Sequence, residues 1–206
     1  MTEHIPSLAH IVAFVMKRGR KRSGVVRGHR RQVDAPREER GFSYFYARMI
    51  TAVISFVNSG MNNGALIEAV ETAHLRQRRS YAAAAAGLEP ALRQLEPMTA
   101  ARVNTSSTYF APDGTELLLV RAHLRVTLRD GSVGQVYIHF SDDAPTHETV
   151  AVILHVLGRC FPTSDTLVLD ARRGVVYRSG DVAHESDAEV LLLEELDQYA
   201  MLWEAA

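Results

Sequence analysis

Eight basic side chains fall within residues 17–31: Lys17, Arg18, Arg20, Lys21, Arg22, Arg27, Arg30 and Arg31, with no acidic residue among them. Such a cluster can neutralise phosphates and release their counterions, giving affinity that is strong, salt-sensitive and indifferent to sequence. The same residues also fit three other readings: a solvated charged linker, a segment neutralised by an acidic partner surface, or a contact with an anionic membrane. Charge elsewhere bears on the choice. Residues 1–80 carry 14 Lys/Arg against 6 Asp/Glu, whereas residues 181–206 carry 8 Asp/Glu and no Lys or Arg. The front of the chain therefore suits an anionic partner or the acidic end of the chain, its own or another copy's.

A second constellation comes from a hairpin. Leu118, Val120, Ala122, Leu124, Val126 and Leu128 occupy the even positions and alternate from 121 onward with polar ones, and Val136, Ile138 and Phe140 alternate likewise after Asp130-Gly131. A three-residue loop at 130–132 would keep apolar residues opposite apolar ones. It would also set His123 opposite His139, Arg125 opposite Tyr137 and Arg121 opposite Ser141. That polar face reads as a solvated sheet surface, as a contact surface for phosphates and bases built from Arg121, His123, Arg125, Tyr137 and His139, or as a metal site. The metal reading would use His123 and His139, with Asp142 or His147 as a third ligand.

The elements that must position these residues follow from periodicity. Pro6-Ser7 opens a short apolar helix to about Met16, and residues 17–40 then read as an exposed or partly disordered arm. Phe42, Phe45, Tyr46, Met49, Ile50, Val53, Ile54 and Val57 recur at helical spacing. A third helix is expected over 65–79 and a further one over 80–96. After Pro97 the period becomes two, with strands over 102–109, 117–128 and 135–141. An amphipathic helix over 147–160 leads to two short strands, 166–169 and 175–177. An acidic helix closes the chain, with Val190, Leu193, Leu196, Tyr199 and Leu202 or Trp203 inward. The expected class is α+β: N-terminal helices, a mixed sheet of about five strands with a crossing helix, and a C-terminal acidic helix. The expected division is 1–40 as apolar helix and basic arm, 41–97 as a helical region and 98–206 as the sheet region, with 41–206 forming one domain.

The order helix (80–96), three strands, helix (147–160), strand resembles the core of the PD-(D/E)XK nuclease-like superfamily over about residues 80–178. The local patterns are VRAHLRVTLRDG at 120–131 and VYIHFS at 136–141. The resemblance implies a metal-binding aspartate where this chain has Arg125, and an acidic residue and a lysine where it has His139 and Ser141. Magnesium takes hard carboxylate oxygens, which these positions lack. Both lysines, Lys17 and Lys21, lie in the arm. The resemblance therefore implies a member without nuclease activity.

No other motif nominates catalysis, and no cofactor is implied. The single cysteine, Cys160, excludes an internal disulfide and any multi-cysteine zinc site. No apolar run reaches membrane-spanning length. The charges at Lys17 and Arg18 follow the first apolar run, where a secretory signal would place them before it. The expectation is a cytoplasmic, non-enzymatic protein binding DNA or RNA through the arm and the sheet face. The alternative is an assembly subunit, a homo-oligomer included, whose arm docks on an acidic protein surface.

Overall fold

The computed structural model describes residues 4–35, 45–181 and 185–206. Its architecture is α+β. Among the described residues the α-helices are α1 (Leu8–Val15), α2 (Arg20–Asp34), α3 (Ala47–Asn58), α4 (Gly64–Glu71), α5 (Leu75–Leu95), α6 (His147–Cys160) and α7 (Glu185–Glu204). The strands among them are β1 (Thr99–Arg102), β2 (Ser107–Phe110), β3 (Glu116–Val120), β4 (Leu124–Thr127), β5 (Val133–His139), β6 (Asp165–Asp170) and β7 (Val175–Arg178). Five of them form one mixed sheet in the order β1-β4-β5-β6-β7, and β2 pairs with β3 separately. All neighbours are antiparallel except β5 and β6, which run parallel across the α6 crossover.

Each face of the sheet closes on its own core. Leu124, Val126, Val136, Ile138, Leu167 and Leu169 pack with Met49, Val53 and Phe56 of α3 and Tyr81, Leu88 and Leu92 of α5. Tyr137 and Val168 face the other way, against Val150, Ile153 and Leu157 of α6, Phe14 of α1 and Leu192 and Tyr199 of α7. Each such side chain contributes roughly 1.5–3 kcal/mol by leaving water, so covering both faces of β5 and β6 is the main source of cohesion. Asn58 closes the outer edge of β1: its amide donates to the Ala100 carbonyl (2.9 Å) and accepts from the Ala100 N–H (2.8 Å). The edge thereby loses groups that could template another strand. Helix α5 approaches the β6–β7 turn closely at Gly87, where an added Cβ would lie 2.3 Å from the Ala171 carbonyl oxygen.

Several expectations change. The expected 65–79 helix breaks at Thr72-Ala73-His74, and the latter part joins α5, which passes through Pro90. The expected strand over 102–109 divides into β1 and β2, and that over 117–128 into β3 and β4, because Arg121-Ala122-His123 leaves the ladder. The hairpin loop is 129–131: Leu128 N–H donates to the Ser132 carbonyl at 2.9 Å, and Leu124 lies opposite Val136. The register is thus two residues from the expected one, with the same residues on each face. In α7, Leu192, Leu196 and Tyr199 turn inward while Val190 is 57% exposed. Residues 42–44, where the second expected helix begins, lie outside the described residues. Among the described residues, no helix is long and apolar enough to cross a membrane.

Candidate functional site

The basic segment is where sequence and structure differ most. Ser7 caps α1 with a capping box, its hydroxyl accepting from His10 N–H at 3.3 Å. The chain then turns at Gly19, whose φ of +55° favours glycine, and enters α2. The expected irregular arm is therefore helical over Arg20–Asp34. Arginine and lysine are good helix formers, but α2 needs a docking surface to persist, and α7 supplies it. Val26 is fully buried. Arg22 lies over the Phe14 ring at 4.7 Å and bonds the Lys17 carbonyl (2.8 Å), Gln198 and Glu195 (2.7 Å to the carboxylate). Arg30 donates to the Trp203 carbonyl at 2.9 Å. The basic segment thus docks on the acidic C-terminal helix of its own chain.

This docking sorts the eight cations into two sets. Lys17 pairs with Asp143 (2.5 Å), Arg22 with Glu195, and Arg30 with Asp34 at 4.0 Å. Arg18, Arg20, Lys21, Arg27 and Arg31 are exposed, and among the described residues none of them makes an ion pair. Arg20, Arg27 and Arg31 follow helical spacing along the outer face of α2. A cleft of about 670 Å³ opens beside them, lined by Gly24, Arg27, Arg30, Arg31, Asp34 and Ala206. Fixed positive charge beside a cleft attracts anions at any pH below the arginine range.

The polar sheet face does not form as a surface. Tyr137 and His139 are buried, 6% and 3% exposed, because α6 and α1 cover that side of the sheet. Burial pushes the Tyr137 hydroxyl well above its ordinary pKa. Arg121 and Arg125 remain exposed, but Arg121 lies between β3 and β4, and Arg125 stands opposite Gln135. His123 lies tilted against Tyr137, ring centroids 4.7 Å apart, and its Nδ1 accepts from Ile138 N–H at 2.9 Å. Burial, with Arg102 and Arg121 nearby, lowers its pKa to about 4. His123 is therefore a neutral structural acceptor, and it does not face His139 as a second ligand. Among the described residues no group of three metal-ligating side chains converges.

His139 has a different neighbour that the sequence did not suggest. The parallel register sets it beside Asp170, at the C-terminal ends of β5 and β6. Open sheets often bind ligands at such ends. Here the groups are already engaged. Asp170 is fully buried and takes Arg173 Nη1 at 3.0 Å together with the Arg172 and Arg173 N–H groups. His139 Nε2 bonds the Asp143 carbonyl at 3.0 Å, and burial lowers its pKa. Arg172 pairs with Asp142 at 2.6 Å. The cluster ties the loop after β5 to the β6–β7 turn. No signal at sequence level could pair His139 with Asp170, since the contact spans a crossover.

In comparisons with known proteins, no family model and no curated sequence matches the chain.

Proposed function

We propose that this protein binds a polyanion, nucleic acid foremost, through the outer face of α2, and that it does so without catalysis. One observation carries the reading: Arg20, Lys21, Arg27 and Arg31 of α2, with Arg18 just before it, are exposed and make no ion pair among the described residues, and the inner face of the helix is anchored to α7. From Arg20 to Arg31 the helix rises about 16 Å, which matches roughly five phosphate steps along one strand of a duplex. Contacts of this kind position a protein on phosphates without reading bases. The sheet face contributes no second contact surface in this reading, because Tyr137 and His139 are buried. On the nuclease-like resemblance, Arg125, His139 and Ser141 stand where active members carry metal and water-activating groups, which favours binding over cleavage. Fluorescence anisotropy with labelled duplex and single-stranded DNA and RNA tests it: binding at 50 mM salt without magnesium-dependent cleavage is the expected result. Absence of binding to all of these at low salt sinks it.

A second reading has its own observation. The outer stripe of α7 carries exposed Glu194 and Asp197 between Val190 and Met201, 57% and 72% exposed. A basic stripe beside an acidic one is self-complementary about a two-fold axis. Sedimentation velocity separates the two readings, since assembly through these stripes gives a dimer at low salt without nucleic acid.

A further inference from the structure

The junction that holds α2 on the rest of the protein is made of imidazoles. His4, from the segment before α1, stacks on Trp203 of α7 with ring centroids 3.9 Å apart at 14°. His10 of α1 stacks on His29 of α2 at 4.2 Å. His4 and His10 are 6.2 Å apart, so the three rings form one continuous group between α1, α2 and α7. His10 uses a ring nitrogen as an acceptor. His10 Nδ1 takes the Ser7 N–H at 3.4 Å, completing the capping box of α1. The His29 Nδ1 lies 3.4 Å from the Tyr199 hydroxyl. Protonation of His10 at Nδ1 would set one donor against another, and a second charge on His29 would lie within van der Waals reach of the first.

We infer that His4, His10 and His29 form an acid-sensitive latch that holds α2 on α7 when neutral and releases the basic helix when protonated. The charged and titratable groups around the rings reinforce this. Asp34 of α2 is the carboxylate that favours a charged His4, while Arg30 lies over Trp203 at 5.9 Å and opposes it. Tyr199 of α7 stays neutral through burial, and Glu195 is taken by Arg22. Burial and the neighbouring imidazoles hold His10 at about 3 and His29 at about 4, against 6.5 in a free chain. Because the docked values lie below the free ones, docking is fully present above pH 6.5 and is lost progressively as pH falls toward 3–4. Two such groups weaken docking by about 100-fold at pH 5.5. Release also frees Arg22 and Arg30 for phosphate contact. Only that last consequence rests on the polyanion reading.

The test uses the full chain and follows hydrogen exchange of α2 amides, corrected for intrinsic rates, from pH 7.5 to 5.0. Trp203 is the single tryptophan, so its fluorescence reports the same junction. The expected result is a loss of α2 protection of tenfold or more by pH 5.5, while β5 and α6 stay protected. The double variant His10→Asn, His29→Gln keeps acceptors in place without a site for the proton, and its α2 should show no such step. If that variant fails to dock at pH 7.5, imidazole NMR of the wild type decides. His10 and His29 titrating near 6.5 while α2 stays protected overturns the latch, as does α2 protected in the wild type at pH 5.0. Duplex binding measured alongside separates the two proposals: α2 released on schedule with no duplex bound at any pH supports the latch and removes the polyanion reading.

Discussion

Replacing Arg20, Arg27 and Arg31 together by Gln removes three of the five outward cations on and just before α2 and nothing from its docked face. Each is exposed and without an ion pair among the described residues, so the helix and its contacts with α7 should persist. The magnitude follows from counterion release. Five phosphate contacts give a slope of log K against log salt of about −4.5, and two contacts give about −1.8. Between 50 and 200 mM salt the wild type should therefore lose roughly 500-fold in affinity for duplex DNA, and the variant roughly 12-fold.

The assay is an anisotropy titration at several salt concentrations, at pH 7.5 where α2 is docked. The quantity read is the slope, because affinity at a single salt concentration mixes charge with other effects. Thermal unfolding runs in parallel, with Tm expected to move by less than about 2 °C, since exposed substitutions usually fall within about 0.5 kcal/mol. A variant slope equal to that of the wild type refutes the assignment of α2 as the contact surface. A slope that flattens instead on Arg121→Gln, Arg125→Gln moves the contact to β4 and the segment leading into it.

Three further outcomes test the fold that supports α2. Gly87→Ala would force a Cβ to 2.3 Å from the Ala171 carbonyl, so α5 and the β6–β7 turn must separate; a loss of at least about 2 kcal/mol in urea unfolding is expected. Asn58→Ala removes both side-chain bonds to Ala100 and uncovers the β1 edge, and should cost about 1–3 kcal/mol and raise light scattering on mild heating. Tyr109→Phe deletes the hydroxyl that lies 3.0 Å from His155 Nε2 in the core between β2 and α6; a drop of about 1–2 kcal/mol is expected, with native circular dichroism retained.

Where the apolar period was clean, the elements were legible. Helices α3 and α6 and the β6–β7 hairpin stand close to where spacing put them, because each buries a stripe of ordinary hydrophobes. The β4–β5 register was not legible, for a physical reason. Shifting a hairpin by two residues leaves every side chain on its original face, so hydrophobic pattern cannot separate the two registers. The turn decides: Asp130 Oδ1 accepts from Ser132 N–H at 2.9 Å, and Gly131 takes φ of +84°, closing the loop one residue earlier. Burial of the polar side of β5 was hidden too. Tyr137 and His139 alternate with apolar residues as on a half-exposed strand. The parallel neighbour β6, and the crossover helix α6 that comes with it, cover the second face.

Helix α2 escaped detection because its inner face does not look hydrophobic. Of the residues it turns inward, only Val26 is buried and apolar. The rest of the contact uses Arg22 over Phe14 and His29 against His10 and Tyr199. Long cationic and imidazole side chains present apolar or aromatic bodies and keep their polar tips bonded, so a helix can dock through residues that a hydropathy scale counts as solvated. The choice of side chain has a consequence that leucines would not have had. A leucine seam would hold α2 at any pH, whereas in the proposed latch the stacked imidazoles hold it only while His10 and His29 are neutral. On that proposal the docked basic helix has a lower pH limit, set by imidazoles that also helped to conceal it.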